Sequence, residues 1–119
     1  MNQEPITKTF DLEERTFEFA RCVRLFVKKL PHNLANVEDA RQLIRASGSV
    51  GANYIEANES LGKKDFTMRL RIARKEAKES RFRLLDTGAD NEVEKMCCAL
   101  IQEATELLKI LSAIICKSS

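Results

Sequence analysis

The sequence predicts an all-α protein folded as an antiparallel up-down four-helix bundle. Three observations carry this expectation. Four segments repeat apolar residues every three or four positions, the period of a helix with one buried face. Short stretches punctuated by Pro31, Gly62 and Gly88 separate them, and short connections imply antiparallel neighbours. Finally, 44% hydrophobic and 32% charged residues with only four Gly and two Pro suit a compact helical chain. A chain of 119 residues can bury one sizeable core, so a single domain over 1–119 is expected. Residues 1–10 have no clear period, contain Pro5, and read as a loose lead-in.

The first helix is expected to start at Asp11, an N-cap with Glu14 three residues on, the spacing of a capping box. Leu12, Thr16, Phe19, Val23, Phe26 and Leu30 form one stripe, broken only by Thr16, and Pro31 ends it. The second helix should run from about Val37 to about Ser60 with Asn36 as cap, its inner face being Ala40, Leu43, Ile44, Ser47, Val50, Gly51, Tyr54, Asn58 and Leu61. Gly48 and Gly51 each cost about 1 kcal/mol against Ala inside a helix. Close approach by a neighbouring helix would compensate; a strand and turn over Ser47–Asn53 is the competing reading. Opposite the apolar arc lie Ala46, Ser49, Asn53, Glu56 and Ala57. Either this face meets solvent, or it packs on the third helix or another subunit with Asn53 and Glu56 hydrogen-bonded across the contact.

Gly62, Lys63 and Lys64 mark the next turn, and Asp65 starts the third helix. At 100° per residue it separates into faces. Phe66, Leu70, Ala73, Ala77, Ser80 and Leu84 are the core stripe, and Arg71, Arg74, Lys78 and Arg81 a basic row on one flank. Met68, Ile72 and Phe82 make a second apolar stripe interleaved with Lys75 and Glu79. A lone bundle needs one apolar stripe per helix, so the second is expected to be covered by another subunit. Gly88 closes this helix and Asp90 or Asn91 caps the fourth. Its apolar arc is broad, from Val93 through Met96, Cys97, Leu100, Ile101, Ala104, Leu107, Leu108, Leu111 and Ile114 to Ile115, which predicts the most buried helix of the set.

Composition excludes several classes. The longest strongly apolar stretch, Ile110–Cys116, is interrupted by Ser112 and falls far short of the roughly 20 residues that span a bilayer. The first residues hold Glu4 and no apolar run, so no secretory signal is read and a cytoplasmic protein is expected. Cys22, Cys97, Cys98 and Cys116 form no C-x-x-C pair and only one His, His32, accompanies them; reduced apolar thiols are expected, with no metal and no cofactor. Bundle di-iron sites need Glu-x-x-His pairs on facing helices, which the chain lacks. Gly48-Ser49-Val50-Gly51 and Gly62-Lys63-Lys64 both miss the spacing of a phosphate loop. Glu76 and Glu79, three apart with Arg69 and Arg83 near, read as ion-pair partners rather than an acid–base pair. No nucleophile stands beside a base, so no catalytic residue is assigned and no enzyme is expected.

Charge distribution is more informative than the net charge of +2. Leu61–Asp90 holds nine basic and five acidic residues, a net of +4. The row Arg71 to Arg81 spans about 15 Å at 1.5 Å per residue, a reach that suits several phosphates of DNA or RNA. A solvated helix face is the plain alternative, and assembly of several copies would favour the nucleic-acid reading by joining the rows.

The runs Ser49-Val50-Gly51-Ala52-Asn53-Tyr54-Ile55-Glu56-Ala57, Lys64-Asp65-Phe66 and Lys75-Glu76-Ala77-Lys78-Glu79-Ser80 resemble a bacterial four-helix-bundle family. It comprises proteins encoded in intervening sequences of 23S ribosomal RNA genes and the accessory variability determinant of diversity-generating retroelements. The similarity is strongest over Arg45–Leu85. It implies a cyclic homopentamer whose basic surface binds nucleic acid without marked sequence preference and, in the retroelement members, partnership with a reverse transcriptase. Ser49, Asn53, Glu56, Asp65, Glu76 and Glu79 match the family's motif positions, where the implied role is structural polar packing. The chain departs at Phe82-Arg83, where relatives often carry an aromatic pair. The expected function is therefore a non-enzymatic oligomer that binds nucleic acid through Arg71, Arg74, Lys78 and Arg81, helped by Lys63 and Lys64. The alternative is an oligomeric scaffold or adaptor for a protein partner.

Overall fold

The computed structural model describes residues 11–87 and 91–118. Four helices follow in order: α1 (Leu12–Val27), α2 (Leu34–Asn58), α3 (Lys63–Asp86) and α4 (Asn91–Ser118). Each packs on the next, and α1 closes the bundle against α4. The α2–α3 contact is the most extensive and α1–α4 the thinnest. The expected up-down bundle is what forms, and Ser47–Asn53 continues as helix rather than turning into a strand.

Capping chemistry sets the helix ends. The Asp11 carboxylate accepts the Glu14 N–H at 3.0 Å, the N-cap its position predicts. α1 stops at Val27 rather than Leu30: Lys29 N–H donates to Phe26 O and Leu30 N–H to Val27 O, tightening the last turn before Pro31. α2 begins three residues earlier than expected because Asn33, not Asn36, is its N-cap. The Asn33 side chain accepts the Asn36 N–H at 2.9 Å, and the Asn36 amide donates instead to Pro31 O. α3 starts at Lys63, two residues before Asp65, with Gly62 as an N-cap that offers no side chain. The expected closure at Gly88 and cap at Asp90 lie outside the described residues, as does the lead-in 1–10; for Asn91 the structure describes only the start of α4.

The core is apolar and contributed by all four helices. Leu12, Phe19, Val23 and Phe26 of α1 are buried with Thr16, and Leu70, Ala73, Ala77, Ser80 and Leu84 of α3 follow the predicted stripe, with Phe66 at its half-buried end. Val93, Cys97, Leu100, Ala104, Leu107, Leu108, Leu111 and Ile115 are buried on α4, and Met96, Ile101 and Ile114 are partly so. On α2 the buried arc is wider than one stripe because the helix touches both α1 and α3. It takes in Ala46 and Ala57 as well as Leu43, Ser47, Val50 and Gly51, so the alanines of the small-residue face are packed, Ser49 and Asn53 are half-buried and Glu56 is exposed. Asn58 and Leu61 are exposed instead of internal, since α2 ends at Asn58 and Leu61 lies in the turn.

The two α2 glycines differ. A Cβ on Gly51 would stand 2.8 Å from Thr16 Oγ1, so α1 and α2 approach closely there. Gly48 has no atom within 4 Å of that position, and no neighbour within the chain accounts for it.

Candidate nucleic-acid interface

Leu70, Ala73, Ala77 and Leu84 are all buried, which fixes the rotation of α3 and turns its basic flank toward α4. Arg74 Nη1 donates to Ser112 Oγ at 3.4 Å, and Arg81 Nη1 to Thr105 Oγ1 at 3.3 Å. The Thr105 hydroxyl gives its own proton to Ile101 O at 2.9 Å, which leaves its lone pairs for the guanidinium. Arg71, before them, and Lys78, between them, are exposed. None of these four cations enters an ion pair among the described residues, where the paired cations are Arg15, Arg21, Arg45 and Arg83. Neutral hydroxyls position two of them and cancel no charge. Lys109 of α4, exposed, lies one helical turn from both Thr105 and Ser112 and so shares their face. Sequence reasoning missed it because its partners in the patch come from another helix. Lys63 and Lys64 are exposed in the first turn of α3, at one end of the row.

The other flank of α3 carries a network of ion pairs. Arg45 of α2 stands 3.6 Å from Glu76 Oε1 and 3.3 Å from Glu79 Oε2, and Arg83 bridges Glu79 at 3.5 Å to Asp39 at 3.7 Å. The expected Glu79–Arg83 pair is present, but Arg69 does not join the carboxylates. It donates to Asn53 Oδ1 at 3.4 Å, while Asn53 Nδ2 donates to Ser49 O at 2.9 Å. Arg45, which the sequence reading left out of this seam, is the cation that holds Glu76, itself buried at 9% exposure. Asn53, Glu76 and Glu79 thus join α2 to α3. Ser49 takes part through its carbonyl, whereas Glu56 and Asp65 are exposed; of the two readings for Glu56, solvent exposure holds, and no bond from it across the contact is formed among the described residues.

Of the second apolar stripe, Met68 (47%) and Phe82 (60%) are exposed and Ile72 is half-buried. The Arg83 guanidinium carbon lies 5.7 Å from the Phe82 ring centroid, within cation–π range. A separate ion-pair group ties α1 to α4: Arg15 Nε meets Glu103 at 2.6 Å and its Nη2 meets Glu106 at 2.6 Å. Those carboxylates raise the Arg15 pKa further, and Gln102 with Arg15 lowers that of Glu106. Among the described residues, no three His, Cys, Asp or Glu gather as a metal site would require, and no helix is long and apolar enough to cross a membrane.

The sequence profile of the 23S rRNA-intervening sequence protein family matches residues 8–113. The chain belongs to that family. As a member of the 23S rRNA-intervening sequence proteins it is also similar to a crystal structure from Bacteroides thetaiotaomicron VPI-5482, a protein with unknown function from the S23 ribosomal protein family. The two share 29% identity over 87% of this chain and 96% of the other, with a TM-score of 0.72. No curated protein sequence matches the chain. The family assignment agrees with the resemblance carried by the α2 and α3 motifs, whose Asn53, Glu76 and Glu79 form the α2–α3 seam.

Proposed function

We propose that this intervening-sequence protein is a non-enzymatic homo-oligomer that binds DNA or RNA by its phosphates, laying Arg71, Arg74, Lys78 and Arg81 of α3, with Lys109 of α4, along the backbone. One observation carries the reading. On the α2 flank of α3, Arg45 and Arg83 are neutralised by carboxylates, whereas the four cations of the α4 flank have none among the described residues. Uncompensated charge in a row about 15 Å long is what phosphate binding uses, since each neutralised phosphate releases counterions. Exposed Met68 and Phe82 support assembly, and a cyclic homopentamer would multiply the row.

The test is fluorescence anisotropy with labelled DNA and RNA of unrelated sequences over a range of salt concentrations. The logarithm of affinity should fall linearly with the logarithm of salt, at similar slopes for different sequences. Absence of binding at low salt would favour the adaptor reading.

A further inference from the structure

Resting on the phosphate-binding reading, we infer that Arg74 and Arg81 are pre-aligned forks, each gripping one phosphate through two parallel N–H bonds, with Ser112 and Thr105 as the positioning residues that hold them. Both arginines are half-buried where α3 meets α4, and each gives Nη1 to an α4 hydroxyl. That contact leaves the opposite edge of the guanidinium, Nε with Nη2, without a hydrogen-bond partner among the described residues, and neither atom is sealed from solvent. Arg15 shows what this edge does when an oxyanion is present: its Nε and Nη2 take the two oxygens of Glu103 at 2.6 and 2.9 Å. The pair of non-bridging oxygens on a phosphodiester offers the same fork two acceptors.

The two contacts repeat as rungs. Arg74 and Arg81 are seven residues apart on α3, and so are Thr105 and Ser112 on α4. Because the helices run antiparallel, each arginine meets its own hydroxyl. Seven residues set the forks about 10.5 Å apart along α3, against about 3.4 Å of axial rise per nucleotide in one strand, so they take separate phosphates. Lys78 and Lys109 lie between the rungs on α3 and α4 and are exposed; an ammonium there adds a point charge without direction. Ordering a long side chain on binding costs affinity. The hydroxyls have already ordered these two arginines, and they do so without the neutralisation that a carboxylate would bring.

Anisotropy titrations with labelled duplex DNA of mixed sequence, on variants whose circular dichroism melts match wild type, test the assignment. Arg74→Lys and Arg81→Lys keep the charge but lose the fork, and each should weaken binding about three- to tenfold. The same exchange at exposed positions, Arg71→Lys and Lys78→Arg, should change it less than about twofold. Thr105→Val and Ser112→Ala should each weaken binding about two- to tenfold with the salt slope unchanged, since no cation is lost. Thr105→Ser should restore wild-type affinity. In an Arg81→Ala background, which has no guanidinium to hold, Thr105→Val should have no further effect. Equal effects of the Lys and Arg exchanges at all four positions, or a Thr105→Val loss that persists in the Arg81→Ala background, would overturn the forks while leaving phosphate binding by the row standing. A wild type that binds no DNA would sink both.

Discussion

Thr16 looks like a flaw in the apolar stripe of α1, and Gly51 like a flaw in α2. Together they make one fitted contact. The Thr16 hydroxyl is satisfied by Leu12 O at 2.9 Å and Glu13 O at 3.0 Å, and the missing Cβ of Gly51 is the space it occupies. Gly51→Ala should therefore destabilise by about 1–3 kcal/mol through overpacking. Gly48→Ala, made in the Met68→Glu background so that assembly does not contribute, should stabilise by about 0.5–1 kcal/mol. Urea unfolding checks both signs, and adding Thr16→Ala to Gly51→Ala should recover part of the loss. Cys97 is a second instance of local fit: its thiol donates to Leu84 O at 3.3 Å near the end of α3. Burial pushes its pKa above the ordinary thiol value. The folded state thus favours the protonated thiol, and the stabilisation, present below the unfolded pKa of about 8.5, is lost as pH rises through the folded pKa. Replacing Cys97 with Ala should flatten that alkaline decline. At pH 8 a thiol reagent should label exposed Cys98 and Cys116 quickly, and Cys97 only on unfolding.

Among the helices, α3 is organised by its two unlike flanks. Toward α2 it presents Glu76 and Glu79 to Arg45, and toward α4 it presents unpaired cations. Removing Arg45 leaves the Glu76 carboxylate buried without its counter-charge, although Arg45 is itself half-exposed. Arg45→Ala should cost about 1–2 kcal/mol, less than for a fully buried pair. A double-mutant cycle with Glu76→Gln should show coupling, and additive effects would mean the two act separately. The helices themselves were legible from periodicity because each buries a regular stripe. Their ends were less so: His32-Asn33-Leu34-Ala35-Asn36 offers two asparagines, and only the fold shows which one caps α2. Partners across helices were hidden for the same reason. Arg45 and Glu76 lie 31 positions apart, and no local period joins them, just as none joins Lys109 to the α3 row.

For the molecule as a whole, the location of charge matters more than its net value. A net charge of +2 attracts polyanions weakly, whereas the uncompensated row concentrates charge on one face, and assembly would repeat it. Each phosphate contact removed should lower the salt slope by about 0.9 on duplex DNA. The most direct test compares two charge reversals of equal size. One changes Arg71, Arg74, Lys78 and Arg81 to Glu; the other changes exposed Lys28, Lys29, Arg41 and Lys95 to Glu, away from the row. Anisotropy at fixed low salt, on variants whose circular dichroism matches wild type, should show the first losing more than about tenfold in affinity with a shallower salt slope, and the second losing much less. Equal losses from the two reversals, or an unchanged affinity in the first, would contradict the assignment of the α3–α4 face.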